Sequence, residues 1–520
     1  MSELREIVDG MRDKSYRPWT PHQSYLLPPS PLEWLPENHL AYFVLEVVQA
    51  LDLSGVEGTI RGKDARGTRP YSPAMMVALL VYAYCVGVFS SRKIARATYD
   101  IVAFRVLAGG AHPYFTTINE FRLTHHAALA DLFVQGVKLC QKAGLVKLGH
   151  VAIDGSKIQA NASKHKAMSY ERMHEEQVRL RAEIEALLAQ ADAVDREEDQ
   201  RYGNGQDVQD LPEELHRRET RLEKIRAAKA ALENEAAQAR AEQLRDNAEG
   251  QRAKAADESV DAVERKRAAT RAEQSEHQAR QLDERDDDDP PPAGGTGPDD
   301  LPRHRVRTQP SGAPHPKAQR NFTDPDSRIM KNNTGYLQAY NAQIVVDDES
   351  QVIVAEALTN QAPDVEHLEP MLRRTIDHTG AVPDKLSADT GYFSKQNVDA
   401  CDEQGIDPYV AVGRKDADGD TIATPSDQPL TPAQRAKQSM REKLQTEAGK
   451  SVYSRRKVIA EPPFGQIKQA RGFRRFSLRG LAKARSEWTL VCLTHNLLKL
   501  YRATWSAMST GYAAHAAAAT

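Results

Sequence analysis

Two apolar segments, each with an aspartate, decide the expected fold: VAIDGSKI at residues 151–158 and LSADTGYF at residues 386–393. Each hydrophobic run predicts a strand, and the aspartate, Asp154 or Asp389, is expected to end it. Because ligand sites of α/β sheets cluster at strand ends, the two carboxylates are candidates for one shared site. Taken singly, each could instead belong to a turn, since Asp154-Gly155 is a common turn sequence and Asp389 precedes Thr-Gly. Two adjacent carboxylates are stable mainly when a cation lies between them.

The most basic part of the chain lies downstream of both aspartates. Residues 451–485, which begin SVYSRRKVIAEPPFGQIK, hold ten Lys and Arg side chains and a single acid, Glu461. Basic surface attracts the phosphate backbone of DNA, and an acid within it is well placed to hold a divalent cation against a phosphate. The two prolines after Glu461 are expected to open a helix with Glu461 and Lys468 on one face. A helix-opening acid favoured by the helix dipole is the simpler interpretation.

Further strands are predicted downstream. YLQAYNAQIVVD and QVIVAEALT flank a polar turn at residues 347–350, and IDPYVAVG predicts a last strand. The amphipathic segment DVEHLEPMLRRTIDHTG predicts a helix that ends at Gly380. The expected order is three strands, a helix, a strand, a helix, a strand and then the helix with Glu461. The fold class is therefore α/β, with a core formed by residues 146–164 and 321–505.

An all-helical N-terminal domain is expected over residues 1–145. Its most apolar stretch, residues 74–89, has 16 uncharged residues, which is short of the roughly 20 that span a bilayer. A buried core helix is therefore expected. Two short helices on either side of Gly109 and Gly110 resemble a helix-turn-helix, and an ordinary bundle with a solvated basic face is an equal alternative. The cations expected to contact DNA here are Arg92, Lys93, Arg96, Arg105 and Arg122.

A long helical insertion is predicted at residues 165–320, between the first two strands. Apolar side chains at three- and four-residue steps predict two helices, and a break near residues 202–212 favours an antiparallel hairpin. Beyond residue 238, a single solvated helix or partial disorder is the alternative. The seam residues are Met173, Gln177, Leu180, Ile184 and Leu187 on one helix and Leu222, Ile225, Lys229, Leu232 and Ala236 on the other.

Composition marks the loose segments and excludes some functions. Residues 285–300 have the composition of a disordered linker, and residues 506–520 that of a flexible tail. DADGD at residues 416–420 is rejected as a calcium loop, since Thr421 replaces the required glycine. Four widely separated cysteines argue against a zinc site or a disulfide framework. No signal peptide is recognisable, so a cytoplasmic protein without a membrane segment is expected.

At these motifs the chain resembles the DDE transposases of bacterial insertion sequences, and most closely the subgroup called insertion sequence eleven-eighty-two. The resemblance rests on PYSPAMMVALLVYAY, VAIDGSKIQANAS, TDPDSRIMK, GYLQAYNAQIVVD, ADTGYFS and YSRRKVIAEPPFGQIK. It implies an RNase H-like catalytic core interrupted by the helical insertion. It also implies that Asp154, Asp389 and Glu461 bind two divalent metal ions, Mg²⁺ or Mn²⁺.

The family's Tyr-Arg-Glu-Lys signature is similar to Tyr453, Arg456, Glu461 and Lys468. Four residues rather than three separate the arginine from the glutamate, and Lys457 has the three-residue gap but misses the tyrosine spacing. The resemblance implies that Lys468 and Arg456 hold phosphate near the cut.

The implied function is a transposase that binds the inverted repeats at its element's ends, cleaves DNA and transfers strands to target DNA. Joining two ends implies at least a homodimer on DNA, associated with the nucleoid. The alternative is a catalytically inactive, DNA-binding relative; an aspartic protease is disfavoured because such enzymes are β-rich. The downstream residues expected to grip the DNA backbone, with Phe473 and Phe476 interleaved, are Arg471, Arg474, Arg475, Arg479, Lys483 and Arg485.

Overall fold

The structure is a computed structural model, and it describes residues 33–61, 70–202, 213–283, 301–332, 335–413 and 430–505. Four sequence predictions fall outside these ranges. They concern the linker at 285–300, the DADGD stretch at 416–420, the hairpin break at 203–212 and the tail at 506–520.

Helices fill the N-terminal part of the described chain. The predicted core helix is confirmed: it begins at Pro73, and its residues from Met76 to Cys85 are buried. The first half of the expected helix-turn-helix is two helices rather than one, because the backbone is extended at Ile101. The helices are α1 (Leu40–Ala50), α2 (Ser54–Arg61), α3 (Pro73–Cys85), α4 (Ser91–Asp100), α5 (Val102–Leu107), α6 (Phe115–Thr124) and α7 (His126–Lys142).

A mixed six-stranded sheet forms the centre of the molecule. Its strands are β1 (Val151–Gln159), β4 (Arg328–Asn332), β5 (Gly335–Asp347), β6 (Ile353–Thr359), β7 (Lys385–Ala388) and β8 (Asp407–Val410). Two short strands, β2 (Ala167–Ser169) and β3 (Gln319–Asn321), pair separately. The predicted strands β5 to β8 are confirmed, whereas β4 was not predicted.

The strands are ordered β6–β5–β1–β7–β8, and β4 lies beside the first half of β5. β5 is antiparallel to its neighbours β1 and β6. β7 is parallel to both β1 and β8. The sheet thus joins an antiparallel half to a parallel half, and β1 lies at the junction.

Helices that lie between and after the later strands cover the sheet. They are α11 (Leu368–Thr379), α12 (Lys395–Glu403), α13 (Pro432–Gln445), α14 (Glu447–Gly465) and α15 (Leu481–Leu500). As predicted, α11 ends at Gly380, which has the left-handed φ of 71° that favours glycine at a helix end. Most of α15 is buried, and it packs against α3, α7 and β6. One continuous hydrophobic core therefore extends from the N-terminal helices to the sheet.

Three long helices occupy the described part of the chain between β2 and β3: α8 (Tyr170–Tyr202), α9 (Glu213–Ala256) and α10 (Ala262–Asp283), here called the helical arm. The predicted seam is confirmed at its centre, where Met173 and Leu180 pack with Leu222 and Ile225. Beyond residue 238 the chain is neither a single solvated helix nor without structure. There α9 packs against α10, largely through alanines whose small side chains let the helices approach closely.

The arm is attached to the sheet by charged and polar contacts. Glu235 on α9 pairs with Arg320 on β3 and with Arg328 on β4, the latter at 3.1 Å. Within the arm itself, the Tyr170 hydroxyl at the start of α8 donates a hydrogen bond to Glu233 on α9 over 2.5 Å. Within the described ranges, no helix is both long and apolar enough to cross a membrane.

Candidate active site

One of the two predicted site aspartates lies on β1, and the other directly follows the neighbouring parallel strand β7. Ala152 on β1 pairs with Ser387 on β7. Carried two residues further, the same offset places Asp154 beside Asp389, which directly follows the last residue of β7. Since neighbouring strands are about 4.8 Å apart, the two residues lie about one strand spacing from each other. The register therefore brings together two acids of the predicted triad.

Asp154 does not end its strand, and that prediction was wrong. It is the fourth residue of a nine-residue strand, and Asp154-Gly155 forms no turn. The strand continues because the long β5 offers a partner for every residue of β1, from Val151 opposite Asp347 to Gln159 opposite Ala339. Asp389 fulfils the prediction, because β7 ends at the residue before it.

The environment of Asp154 favours its protonated form. Burial raises the pKa of Asp154 to about 6, and the nearby carboxylates of Asp389 and Asp364 add to the rise. The Arg456 guanidinium and the hydrogen bond from the Gly155 amide act in the opposite direction. This is the environment of a carboxylate that gains most from a bound cation, since a cation relieves the repulsion between the acids.

Each aspartate is held by a backbone amide. The Gly155 amide donates to Asp154 Oδ1 over 2.9 Å, and the Gly391 amide donates to Asp389 Oδ1 over 2.8 Å. In both cases one carboxylate oxygen is engaged by the protein, which fixes the orientation of the side chain.

Glu461 lies inside a helix rather than at its start, so the prediction that the prolines open a helix was wrong. Helix α14 begins at Glu447 and runs through Pro462 and Pro463 to Gly465. A proline within a helix removes the hydrogen bond to the carbonyl four residues earlier, which is that of Val458 for Pro462 and that of Ile459 for Pro463. Gln351 Nε2 donates to the Val458 carbonyl over 2.9 Å and so replaces the partner lost at Pro462.

Glu461 does not complete a cluster with the two aspartates. Its side chain is exposed. Among the described residues, no three His, Cys, Asp or Glu side chains are arranged as ligands of one metal ion. The expected convergence of all three acids is therefore not met in this structure, although Asp154 and Asp389 are neighbours.

Cationic side chains from α14 and the turn after it face Asp154. The chain beyond α14 forms a π-helical turn, Gln466–Ala470, which contains Lys468. Lys468 donates to the Ser156 hydroxyl on β1. Burial lowers the pKa of Lys468, and Asp154 opposes that change. Arg456 lies 6.0 Å from the centre of the Tyr453 ring, and its Nε is buried without a partner among the described residues.

A fourth acid, Asp364, belongs to the same neighbourhood and was missed by the sequence analysis. It lies between β6 and α11, and its carboxylate accepts hydrogen bonds from three side chains. The donors and their distances to Oδ1 are Lys157 at 3.0 Å, Asn341 at 2.7 Å and Gln343 at 2.7 Å. Its position after a buried strand was the only available signal, and many loop aspartates share it.

The basic segment after α14 divides into an inner and an outer set. Arg471 is turned inward, where it donates to Thr494 Oγ1 over 2.8 Å and to the Val491 carbonyl over 3.1 Å. Phe473 and Phe476 are buried in the core rather than exposed between the charges. The exposed members are Arg474, Arg475, Arg479 and Lys483.

The N-terminal basic residues are also divided by burial. Arg92, Lys93 and Arg96 on α4 are exposed. Arg122 on α6 is 3% exposed and donates to the Tyr84 hydroxyl over 2.8 Å, so the expectation that it contacts DNA was wrong.

A groove of about 410 Å³ lies beyond the far end of β1, on the side of Arg475. Lys164, His165 and Arg475 line it together with Tyr336, whose side chain is 63% exposed. Its described lining contains no acid. Gln159, which also lines the groove, is the last residue of β1 and forms a bridge to Arg475.

Comparison with known proteins assigns two parts of the chain. Residues 304–497 match the family model described as a transposase DDE domain. Residues 30–123 match a second model, described as a transposase domain. These matches indicate a transposase. No curated protein and no solved structure matched the chain.

The DDE match contains most of the candidate active site. Asp364, Asp389, Glu461 and Lys468 all lie within it. Asp154 precedes the matched segment, and it joins the site through the pairing of β1 with β7. The second match covers the exposed cations of α4.

Proposed function

We propose that this transposase binds the terminal inverted repeats of a bacterial insertion sequence, of the subgroup that its motifs resemble. It would cleave DNA at the ends of the element and transfer the strands to target DNA. The observation that carries the proposal is the register of the parallel strands β1 and β7, which sets Asp154 on β1 beside Asp389 at the end of β7.

The sheet order supports an RNase H-like core. With β4 and the short pair left out, β1, β5, β6, β7 and β8 are the first to fifth strands in chain order. Across the sheet they lie in the order third–second–first–fourth–fifth. Neighbours among the first three strands of that order are antiparallel, and neighbours among the last three are parallel. This is the arrangement expected from the family resemblance. We propose residues 146–164 and 321–505 as this core, the helical arm as an insertion into it, and residues 1–145 as a DNA-binding domain.

The donor set at Asp154 and Asp389 fits a hard divalent cation. Both residues supply carboxylate oxygens, which Mg²⁺ and Mn²⁺ prefer, and their mutual repulsion disfavours ionisation without a cation. We propose that Asp154 and Asp389 hold the ions and that Glu461 joins them when DNA is bound. When bound, the metal supplies Lewis-acid activation for phosphodiester cleavage.

The chain's own cations would position the phosphate. Lys468 lies against Ser156, two residues along β1 from Asp154. Arg456 lies close enough to Asp154 to lower the pKa of that carboxyl, so its guanidinium is placed to hold a phosphate oxygen at the same site. Tyr453 would support the Arg456 guanidinium through its ring. Hydrolysis of the end phosphodiester yields a 3′-hydroxyl, which then attacks a target phosphodiester, forming one P–O bond as another breaks.

The DNA would leave the site over the exposed basic segment. Arg474, Arg475, Arg479 and Lys483 present exposed positive charge, and Arg475 lines the groove at the end of β1. Such contacts orient the substrate without reading its sequence. Arg471 is left out of this set, because its guanidinium is engaged with α15. Arg92, Lys93 and Arg96 would contact the inverted repeat, and synapsis of two ends would require at least a homodimer at the nucleoid.

The test is a nicking assay on duplex DNA that carries the element's end, with Mg²⁺. Asp154→Asn and Asp389→Asn should each abolish nicking while leaving DNA binding intact. The competing function, a DNA-binding relative without catalysis, predicts that Asp389→Ala leaves all biological activity unchanged. Nicking that survives substitution of either aspartate would refute the assignment.

A further inference from the structure

Asp364 lies where β1, β5 and the turn after Asp389 meet. Its hydrogen-bond donors Lys157 and Gln343 lie on β1 and β5, respectively, and it lies in the segment between β6 and α11. The pair of Lys157 and Asp364 is largely shielded from solvent, with 16% and 22% of the side chains exposed. A charged pair so enclosed holds its elements together more firmly than an exposed one.

The donors come from matched positions of the sheet. Gly155 lies opposite Gln343, and Lys157 lies opposite Asn341, in the antiparallel ladder of β1 and β5. These alternate residues share one face of the sheet. Asp364 therefore lies over two successive cross-strand pairs, on the face of the sheet opposite to that of the Asp154 side chain and one residue from Asp154 along β1.

Gly155 brings this network against the backbone of Asp154. A Cβ at position 155 would lie 2.9 Å from Asp364 Oδ1 and closer still to Gln343 Nε2. The amide of Gly155 is the donor that holds Asp154 Oδ1. The position of Asp364 is thus coupled to the orientation of the first aspartate.

A second branch of the network reaches Asp389. Gln343 donates to Asp364 through Nε2 and accepts from the Tyr392 hydroxyl through Oε1. Tyr392 is fully buried and belongs to the turn that follows Asp389. Asn397 connects the two ends of this network. Its side-chain amide donates to the carbonyl of Val365, next to Asp364, and to that of Tyr392, each over 2.7 Å.

We propose that Asp364 is a positioning residue for catalysis: through Gln343 and Tyr392 it fixes the spacing of Asp154 and Asp389 at which a divalent cation binds. This rests on the proposed function, and it assigns a role to a carboxylate outside the predicted triad. The ionised side chain is required because its three donors include the Lys157 ammonium, which an amide would not balance.

The experiment measures Mn²⁺ binding to the full chain by electron paramagnetic resonance, together with nicking of end DNA. Asp364→Asn should weaken Mn²⁺ binding and slow nicking by about 10- to 100-fold, the range for partners that orient metal ligands. Exchange of the Gly155 and Gly391 amide protons should become faster. Tyr392→Phe, which removes one hydroxyl and keeps the buried ring, should change the same readouts in the same direction by a smaller factor.

The matched control is Asp407→Asn. Asp407 also pairs with a lysine, Lys443, and accepts from a tyrosine hydroxyl, that of Tyr409 over 2.8 Å, but it lies on β8 away from the site. Its substitution should leave Mn²⁺ affinity unchanged.

Two negative results are distinguishable. Normal Mn²⁺ affinity and nicking in both Asp364→Asn and Tyr392→Phe, while Asp389→Asn is inactive, would overturn this inference alone. Full activity of Asp389→Asn would overturn the proposed function. A lower melting temperature with unchanged Mn²⁺ affinity would assign Asp364 a purely structural role and also reject the proposal.

Discussion

Lys468, in the π-helical turn after α14, donates a hydrogen bond to Ser156, two residues along β1 from Asp154. Alternate residues of a strand share a face, so Lys468 reaches the face of β1 to which Asp154 belongs. The π-helical turn follows two helix-interior prolines, and such turns are frequent at functional sites. A basic residue seven positions after Glu461 is thereby anchored beside the aspartates.

Substitution of Lys468 tests whether this contact serves the reaction. Lys468→Met should lower the nicking rate by about 10- to 100-fold, equivalent to losing one charge-assisted hydrogen bond to phosphate. It should also raise the pKa of Asp154, because a neighbouring cation is lost. The control is Lys450→Met, which removes an exposed lysine from the start of α14. Equal effects of the two substitutions on nicking would contradict the role of Lys468.

Removal of either carboxylate should remove catalysis. Asp154→Asn and Asp389→Asn are expected to lower strand nicking at least about a hundredfold, or about 2.7 kcal/mol of transition-state stabilisation. The double variant should be no worse than either single one, because the two side chains act as a unit. Gel-shift titration checks that DNA affinity is retained; additive losses would show that the residues act separately.

Metal binding should depend on pH through Asp154. Burial and the adjacent acids raise the pKa of this residue to about 6, above its usual value of 3.8. Below pH 6 the side chain therefore holds a proton that a cation must displace. Mn²⁺ affinity measured in the absence of DNA should rise as the pH increases from 5 to 7.

The raised pKa of Asp154 also determines the direction in which the stability of the protein changes with pH. Between about pH 4 and 6 the native state binds more protons at Asp154 than the unfolded state does, so the free energy of unfolding contributed by this group falls as the pH rises. Asp154→Asn should remove that contribution. An Mn²⁺ affinity that is constant between pH 5 and 7 would contradict the assigned environment of Asp154.

The two exposed basic regions should differ in what they read. Neutralising Arg474 and Arg475 should weaken binding to all DNA alike and flatten its salt dependence, as expected for phosphate contacts. Neutralising Arg92, Lys93 and Arg96 should cost more affinity on the element's end than on random DNA. The measurement is binding to both DNAs at several salt concentrations. Equal losses from both sets of changes would place sequence reading elsewhere, with the helical arm as the next candidate.

The start of α14 should tolerate no side chain at Gly449. Its amide donates to the capping hydroxyl of Thr446 over 2.9 Å, and an added Cβ would lie 2.9 Å from the carbonyl carbon of Lys443, closer still to its oxygen. Gly449→Ala should therefore destabilise the protein by about 1–3 kcal/mol. Gly465→Ala, in the same helix with open space around the Cβ, should be neutral or stabilise by up to about 1 kcal/mol. Urea unfolding compares the two, and equal midpoints would contradict the described corner between α13 and α14.

Local sequence determined the elements of this protein. The apolar runs around Asp154 and Asp389 specified β1 and β7, because a buried strand needs little beyond a continuous hydrophobic stretch. Gly380 specified the end of α11, since few other residues adopt its positive φ. The period of Met173 and Leu180 specified the seam of the helical arm, because that period is a property of each helix alone.

Only the tertiary structure decided how far the elements extend and which side chains meet. Asp154 lies in mid-strand because β5, remote in sequence, offers it a partner, and α14 continues through its prolines because Gln351 satisfies the Val458 carbonyl. Arg122 and Arg471 look like surface cations in the sequence, yet buried polar partners hold them inside. The junction at Asp364 joins donors from β1 and β5 to a segment after β6. Such long-range contacts leave no periodic signal, because the partners of each contact come from segments that are far apart in the sequence.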